Sequence, residues 1–334
     1  MTEPKPSREA PLEDVIDPER PIIDPHHHLW DWPDPRQYML PELWRDTGSG
    51  HNVQKTVFIE CGAFYRTGGP EALRSVGETE RVAQLAAETQ NAAPGKPALA
   101  GIVAHTDLTQ DAAALSDVLA AHREAGRGFL RGIRHAGARD SDPESLKIRG
   151  RGLERQYERD DFRRGVAQLG KLGLSYDTWH YHHQNQAYLA LAQAVPDTVF
   201  VFDHFGTPLG VGRFAGKRDE IFERWKDDVA AIARCENVYA KLGGLAMPDN
   251  GFGWNERATR ATSDELVAAQ RRYYHHMLEC FGPARCMFES NFPVDKPSIG
   301  YRSLWNAFKK LSADLSESEK HALFYGTAAK VYRL

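Results

Sequence analysis

The chain has 334 residues, of which 41% are hydrophobic and 26% charged, and this composition excludes a peptide scaffold, a disordered chain and a coiled coil. Its formal charge of −4 provides no general electrostatic attraction to nucleic acid or to an anionic membrane. The four cysteines form no CxxC pair, which argues against a zinc ribbon and a dense disulfide framework. No apolar run approaches the about 20 residues of a membrane span, and the acidic N-terminus lacks a secretory signal. We therefore expect a cytoplasmic protein with reduced thiols.

Short β-rich runs alternate with longer segments of helical period along the chain, which indicates an α/β fold with a parallel sheet. We predict a loosely ordered N-terminal arm over residues 1–20 and a single domain over residues 21–334. The predicted strands are 21–28, 55–61, 98–105, 129–135, 174–182, 198–204, 238–242 and 285–291. The predicted helices are 77–89, 110–124, 162–171, 186–194, 219–234, 263–280, 301–311 and 316–332.

Eight strand–helix units match a (β/α)₈ TIM barrel better than a doubly wound sheet, because no GxGxxG motif follows the first strand. Active sites of such barrels lie at the C-terminal ends of the strands. Nine of the 14 histidines fall at those predicted ends. They are His26, His27, His28, His105, His135, His180, His182, His183 and His204.

The first strand carries the sequence IIDPHHHLW. Because side chains alternate along a strand, His26 and His28 share a face and His27 takes the other. The alternative interpretation, a tag remnant or a surface cluster, fits poorly with a position inside the chain between apolar segments.

The fifth and sixth strands add further histidines. His182 shares a predicted strand face with His180, and His204 follows the apolar run VFVFD. A lone histidine at such a place is more often a hydrogen-bonded core residue than a ligand, but four converging imidazoles suit zinc or a related divalent ion. We predict one divalent metal ion, Zn or Mn, with His26, His28, His182 and His204 as candidate ligands.

The last strand ends in CMFESNFPVD, where Glu289 and Asn291 are two residues apart and are predicted to face the same side, with Glu289 deeper. Glu289 could bind metal, orient a histidine or take a proton. The alternative is a salt bridge inside the barrel with Arg134.

Arg134 in the fourth strand could instead grip a substrate carboxylate. Its alternative role is that of an internal partner for Glu289, Glu60 or Asp203.

Other candidates for substrate contact lie near strand ends. Tyr65 and Arg66 follow the second strand, either as substrate contacts or as ordinary loop surface. Trp179 and Trp254 could form pocket walls, although aromatic residues near strand ends are more often packing residues. With Arg134 and His180, we assign Tyr65, Arg66 and Trp179 to substrate binding.

Three segments, IIDPHHHLWD, FDHFGTPLG and CMFESNFPVDK, resemble the amidohydrolase superfamily, in particular its amidohydrolase-2 branch of metal-dependent TIM-barrel hydrolases, which includes sugar-acid lactonases. The resemblance runs from about residue 21 to the C-terminus. It implies that His26 and His28 form the first-strand ligand pair, that His182 is the fifth-strand histidine, with His180 as the competing choice, and that His204 is the sixth-strand one.

The chain departs from this resemblance on the eighth strand. Many relatives have G-S-D-W-P, whose aspartate binds metal and acts as general base, where this chain has Glu289-Ser290-Asn291-Phe292-Pro293. Since Asn291 cannot accept a proton from water, Glu289 replaces the carboxylate, or the chemistry differs, or activity is lost. The fourth strand also lacks the lysine that bridges two metals in some members, so we expect one metal at most, and a metal-free site is the alternative.

The sequence thus predicts a hydrolase that opens a lactone or related cyclic ester of a small carboxylated or polyhydroxylated substrate. Glu289 or His204 would handle the proton, with Asn291 beside them. The alternatives are a metal-dependent decarboxylase or hydratase of an unsaturated or aromatic acid, and a non-catalytic ligand-binding barrel. We expect a small-molecule substrate, no nucleic acid or membrane partner, and a possible homo-oligomer.

Overall fold

The computed structural model describes residues 11–33, 36–93 and 95–334. Eight parallel strands form one sheet in chain order, from β1 to β8. The first and last strands meet where the backbone N–H of His28 donates to the carbonyl of Phe292 at 2.8 Å, which nearly closes the sheet into a barrel. The strands are β1 (Pro21–His27), β2 (Asn52–Ile59), β3 (Ala98–Ala104), β4 (Leu130–Arg134), β5 (Ser175–Thr178), β6 (Phe200–Phe202), β7 (Val238–Leu242) and β8 (Cys286–Phe288).

Helices connect the strands and surround the barrel, so the predicted single-domain (β/α)₈ TIM barrel is confirmed. They are α1 (Leu40–Thr47), α2 (Val76–Thr89), α3 (Ala112–Ala125), α4 (Asp160–Lys171), α5 (Asn185–Ala194), α6 (Arg218–Ile232), α7 (Ser263–Phe281), α8 (Tyr301–Leu311), α9 (Glu317–His321) and α10 (Thr327–Tyr332). A π-helical turn, Ala322–Gly326, joins the last two.

The two faces of the barrel strands are buried in different ways. Outward side chains such as Phe58 and Tyr176 pack in the large core under the helices. Inward side chains such as Val57 and Val201 form a separate apolar cluster with Tyr332 of α10. Because alternate residues of a strand point inward, Asp177 and Lys241, the register partners of the inward residues Val201 and Met287, also lie inside the barrel.

Three strands that carry candidate site residues end two to four residues earlier than predicted. We expected strands over 174–182, 198–204 and 285–291, whereas β5, β6 and β8 end at Thr178, Phe202 and Phe288. The backbone leaves the extended conformation directly afterwards, with φ of 54° at His204 and 53° at Asn291. The candidate site residues of these three strands therefore lie in turns, where the alternation rule no longer applies.

Residues 11–20 run along α7 and α8. The backbone N–H of Ser263 donates to Glu13 at 2.9 Å, and Lys309 Nζ donates to the carbonyls of Ile16 and Asp17 at 2.8 and 2.7 Å. Residues 1–10 of the predicted N-terminal arm lie outside the described residues, and the division at residue 20 stays a prediction.

No helix in the described part of the chain combines the length and apolar character needed to cross a membrane.

Candidate active site

Three side chains from different strands meet at the C-terminal end of the barrel. His26 lies on β1, His204 in the turn after β6, and Glu289 directly after β8. The potential ligand atoms of these three buried residues lie within 4.8 Å of one another. Glu289 Oε1 is hydrogen-bonded to His204 Nδ1 at 2.7 Å, and Glu289 Oε2 lies 2.8 Å from His26 Nδ1. The carboxyl group of Glu289 thus bridges the two imidazoles.

Burial sets the protonation states in this cluster. It raises the pKa of Glu289 to about 8, an effect that the nearby positive charge of Lys241 opposes. Burial also lowers the pKa of His204 to about 3 and that of His26 well below its usual range. At neutral pH the cluster therefore combines two uncharged imidazoles, which are metal ligands in that form, with a carboxyl group that can exchange its proton.

A left-handed turn presents His204 to this cluster. Four consecutive residues, His204, Phe205, Gly206 and Thr207, have φ of 54°, 60°, 62° and 42°. Residues other than glycine pay about 1–3 kcal/mol each for such a conformation, which persists only where surrounding contacts impose it. Strain of this kind clusters at functional sites.

Two glycines after β7 leave room for the cluster. A Cβ added at Gly244 would lie 2.3 Å from His204 Nδ1, and one added at Gly243 would lie 2.4 Å from Glu289 Cγ. Gly244 also has φ of 77°, a conformation that glycine adopts readily. Any side chain at either position would displace a member of the cluster.

A buried lysine that we did not predict lies beneath the cluster. Lys241 on β7 is 0% exposed, and its Nζ lies 3.1 Å from Asp177 Oδ2 and 3.2 Å from Asp203 Oδ1. The same Nζ is 3.2 Å from His26 Nδ1, and the hydroxyl of Tyr332 donates to Asp177. The available signal was a charged residue inside each of the apolar runs VYAKL and LSYDT.

Arg134 lies inside the barrel, where it is paired with carboxylate groups. Its Nε donates to Glu60 Oε1 at 2.7 Å, its Nη2 to the carbonyl of Glu60 at 2.6 Å, and its Nη1 lies 3.8 Å from Asp203. The side chain is 7% exposed. From the sequence, Arg134 is either a contact for a substrate carboxylate or an internal ion-pair partner. These contacts favour the second role, with Glu60 and Asp203 as its partners, and Glu289 contacts the histidines instead.

Asn291 lies in the turn after β8, with φ of 53°, and its side-chain amide is held by a buried carboxyl group. Its Nδ2 donates to Asp295 Oδ1 at 2.9 Å, and its backbone N–H donates to the carbonyl of His26 at 3.0 Å. Asp295 is fully buried and also accepts a bond from the backbone N–H of Ala246 at 3.2 Å, and burial raises its pKa well above the usual range. A carboxyl group is thus present behind Asn291, where sequence reasoning had not placed one.

The other two first-strand histidines divide as predicted between the two faces. The rings of His28 and His26 lie 5.0 Å apart at their centroids, whereas His27 is bonded to Thr56 Oγ1 at 3.0 Å on the outer face. His28 Nδ1 donates to the carbonyl of Ile59 at 2.9 Å, which leaves its Nε2 for another partner.

The histidines after β5 lie outside the His26–His204–Glu289 cluster. His180 is buried, bonded through Nε2 to Asn185 Oδ1 at 2.9 Å, and burial lowers its pKa to about 3. His182 is partly buried in a turn, where its Nδ1 accepts the backbone N–H of Leu209 at 3.2 Å. Neither shares the strand face on which their predicted roles depended, because β5 ends at Thr178.

The remaining predicted contact residues have different surroundings. Tyr65 is partly buried, with its ring centroid 6.5 Å from that of His105. Arg66 forms a two-bond ion pair with Glu80. Trp179 packs edge-to-face on Tyr181.

Trp254, the other candidate wall, is buried and stacks on Phe252 with a centroid distance of 5.0 Å.

Comparison with known proteins identifies the family. Residues 23–334 match the family model described as Amidohydrolase (Amidohydro_2). The chain belongs to the amidohydrolase family. The resemblance that the first, sixth and eighth strands indicate is thereby confirmed.

Three proteins to which the chain is similar illustrate the relationship. The chain is 30% identical over 330 residues to the protein called y4mH of Sinorhizobium fredii, which covers 94% of this chain and 98% of y4mH. It is 28% identical over 206 residues to an L-fucono-1,5-lactonase of Burkholderia multivorans, which covers 61% of this chain and 63% of the lactonase. A crystal structure of an amidohydrolase from Burkholderia multivorans with bound zinc superimposes with a TM-score of 0.72 at 23% identity, over 94% of this chain and 99% of that one.

The charges inside the amidohydrolase barrel fit a divalent cation. Four carboxyl groups are in ion-pair contact with Lys241, Arg134 or His26. When all four are ionised, they carry two more charges than the two fixed cations, Lys241 and Arg134, neutralise. These carboxyl groups belong to Glu60, Asp177, Asp203 and Glu289.

Several polar atoms of this region have no hydrogen-bond partner among the described residues. They are His26 Nε2, Glu289 Oε2 and both carboxylate oxygens of Asp203. Glu289 Oε2 and the Asp203 oxygens do have ion-pair neighbours in His26, Lys241 and Arg134, whereas His26 Nε2 has none in the part of the chain that the structure describes. Buried polar atoms are normally paired, and imidazole nitrogen with carboxylate oxygen is a zinc donor set. The residues present therefore fit a metal ion held by His26, His204 and Glu289.

Proposed function

We propose that the protein is a hydrolase that opens a lactone or related cyclic ester of a small carboxylated or polyhydroxylated substrate. The observation that carries this proposal is the buried cluster in which Glu289 bridges His26 and His204. A second support is the similarity to an L-fucono-1,5-lactonase.

The protein's own side chains would transfer the proton of the attacking water and orient the carboxyl group that accepts it. In its ionised form Glu289, which bridges His26 and His204, would accept a proton from the attacking water and return it to the leaving oxygen. His204, uncharged and hydrogen-bonded to Glu289, orients that carboxyl group. It is the second candidate for the proton transfer, and the weaker base of the two because burial lowers its pKa to about 3. Lys241 and Arg134 would act by holding the carboxylates of Asp177, Asp203 and Glu60 in place around the cluster.

A divalent ion, zinc or manganese, would be held by His26, His204 and Glu289, with His28 as a further candidate ligand. When bound, such an ion polarises a substrate carbonyl and lowers the pKa of a coordinated water. His182 stands outside this ligand set.

Substrate contacts are proposed at the barrel mouth. Tyr65, beside His105, has a hydroxyl suited to a substrate oxygen. Asn291, whose amide Asp295 holds in one orientation, cannot take a proton and would act by orienting the substrate. Arg134 would act through Glu60 and Asp203 rather than by binding a free carboxylate.

The test is hydrolysis of a panel of lactones by protein stripped of metal and then reloaded with Zn²⁺ or Mn²⁺. The panel contains sugar-acid 1,5-lactones, simple lactones and pyrone carboxylates, and products are identified by mass. We expect addition of one water to a lactone, lost in Glu289→Gln. Loss of CO₂ from an aromatic or unsaturated acid, with no lactone opened, would replace the proposal by the lyase alternative. Zn²⁺ binding without any turnover would replace it by the non-catalytic binder.

A further inference from the structure

The left-handed turn that carries His204 has an outside support on α6. Trp225 is 1% exposed, and its indole N–H donates to the carbonyl of Phe205 at 2.7 Å. The indole is fixed in turn by the rings of Phe222 and Tyr273, with centroid distances of 5.6 and 5.1 Å. This is a rigid donor aimed at the residue that follows His204.

The turn needs such a support because its own bonds are few. The Thr207 N–H donates to the carbonyl of His204 at 2.8 Å, and the carbonyl of Thr207 accepts the N–H of His182 at 3.2 Å. Phe205 is fully buried, so its carbonyl has no access to water and depends on Trp225 for a donor. Left-handed backbone at residues other than glycine relaxes when the contacts that impose it are removed.

We propose that Trp225 is a positioning residue for His204, which it holds towards Glu289 by anchoring the left-handed turn 204–207 through the Phe205 carbonyl. The consequence for metal binding rests on the proposed metal site. The anchoring itself concerns the backbone alone and can be measured without any metal.

The experiment compares Trp225→Phe with a matched control, Trp305→Phe. Trp305 is equally buried, but it lies beside Tyr301, Phe308 and Phe324, in another part of the barrel from the turn 204–207. Both variants lose the same ring volume. Only Trp225→Phe removes a hydrogen bond from the turn.

Two quantities are measured for the full-length protein. Amide hydrogen exchange of a peptide spanning residues 204–209 reports opening of the turn, and competition with a chelator gives the Zn²⁺ affinity. In Trp225→Phe we expect about tenfold faster exchange in this peptide, the loss corresponding to one buried hydrogen bond, and about tenfold weaker Zn²⁺ binding. In Trp305→Phe both quantities should stay within about twofold of the native protein.

Unchanged exchange at 204–209 in folded Trp225→Phe, or an equal increase in both variants, overturns the inference. A native protein that takes up no Zn²⁺ contradicts the proposed metal site instead, and the exchange result still decides the role of Trp225. If Trp225→Phe does not fold, the exchange rate of the Trp225 indole proton is measured in the native protein instead of amide exchange in the variant. An indole proton that exchanges no faster than the Thr207 amide supports the inference, and a faster one overturns it.

Discussion

Histidines at the ends of different strands of this barrel have different surroundings, as His26 and His204 on one side and His180 and His182 on the other show. His26 and His204 converge on Glu289. His180 and His182 also lie at the end of a strand in the sequence, after β5, but they do not contact Glu289. The difference lies in what each ring already binds. His180 Nε2 is bonded to Asn185 and His182 Nδ1 to the Leu209 backbone, while His26 Nε2 is buried with no partner in the described part of the chain.

The path of the chain after each strand produces this difference. After β6 the left-handed turn bends His204 back towards the barrel axis. After β5 the chain continues so that His180 packs against Tyr188 and Phe202, with centroid distances of 4.9 and 5.5 Å. A histidine at the C-terminal end of a barrel strand is therefore a ligand candidate only when the following turn aims it inward and leaves a ring nitrogen unpaired.

The largest loss of activity should come from replacing Glu289, the carboxyl group that contacts His26 and His204 but not His180 or His182. Replacing Glu289 with Gln removes the proton acceptor but keeps the shape, so kcat/KM for the best lactone of the panel should fall by about 10²–10⁴. The control is Glu78→Gln. Glu78 is also buried, with its pKa raised by burial, but it bonds the backbone N–H groups of Cys61 and Ala63. Equal losses in both variants would show that burial, and not contact with the histidines, matters.

The next largest effect is expected on Zn²⁺ affinity when a side chain fills the space that Gly244 leaves for His204. In Gly244→Ala the new Cβ would lie 2.3 Å from His204 Nδ1, so the ring must move away from Glu289, and Zn²⁺ affinity should fall by about 10–100-fold. Gly216→Ala is the control, because Gly216 has nearly the same φ, 75°, and nothing within 4 Å of its added Cβ. Native affinity in Gly244→Ala would show that His204 is not a ligand.

A smaller, graded effect is expected from pH. Burial raises the pKa of Glu289 to about 8, and a metal must displace that proton. Zn²⁺ affinity, measured by chelator competition, should therefore rise about tenfold per pH unit from about pH 6 and level off near pH 8. The histidines add no slope, because burial lowers the pKa of His204 to about 3 and keeps it uncharged in this range. A native protein with no slope, or a slope that persists in Glu289→Gln, would contradict this assignment.

The smallest effect is expected for the histidines after β5. His182→Ala should leave Zn²⁺ affinity within about twofold, since the ring lies outside the cluster, and the loss of its bond to the Leu209 N–H should lower the free energy of unfolding by about 1 kcal/mol. Isothermal titration and denaturant unfolding measure the two quantities. A large loss of Zn²⁺ affinity in this variant would restore His182 to the ligand set.

The sequence was sufficient for the barrel because its evidence is local and repeated. Alternating strand and helix patterns, with His26 and His28 on one face of the first strand, need only the periodicity of side chains. The same rule does not extend past Thr178 and Phe288, where β5 and β8 end and the chain enters turns.

What the sequence could not show depends on contacts between distant strands. Lys241 and Asp177 are 64 residues apart and meet only when the barrel closes. The left-handed turn at His204 depends in the same way on contacts imposed from outside it. Single charged residues inside apolar strands were the one available signal for the interior network.

The most direct test of the central claim is the zinc content of untagged protein after removal of metal and reloading with Zn²⁺. Three forms are compared, the native protein, His204→Ala and His182→Ala. The account predicts about one equivalent in the native protein and in His182→Ala, and none retained in His204→Ala. No zinc in the native protein, or the same zinc content in all three forms, would contradict a metal site built from His26, His204 and Glu289.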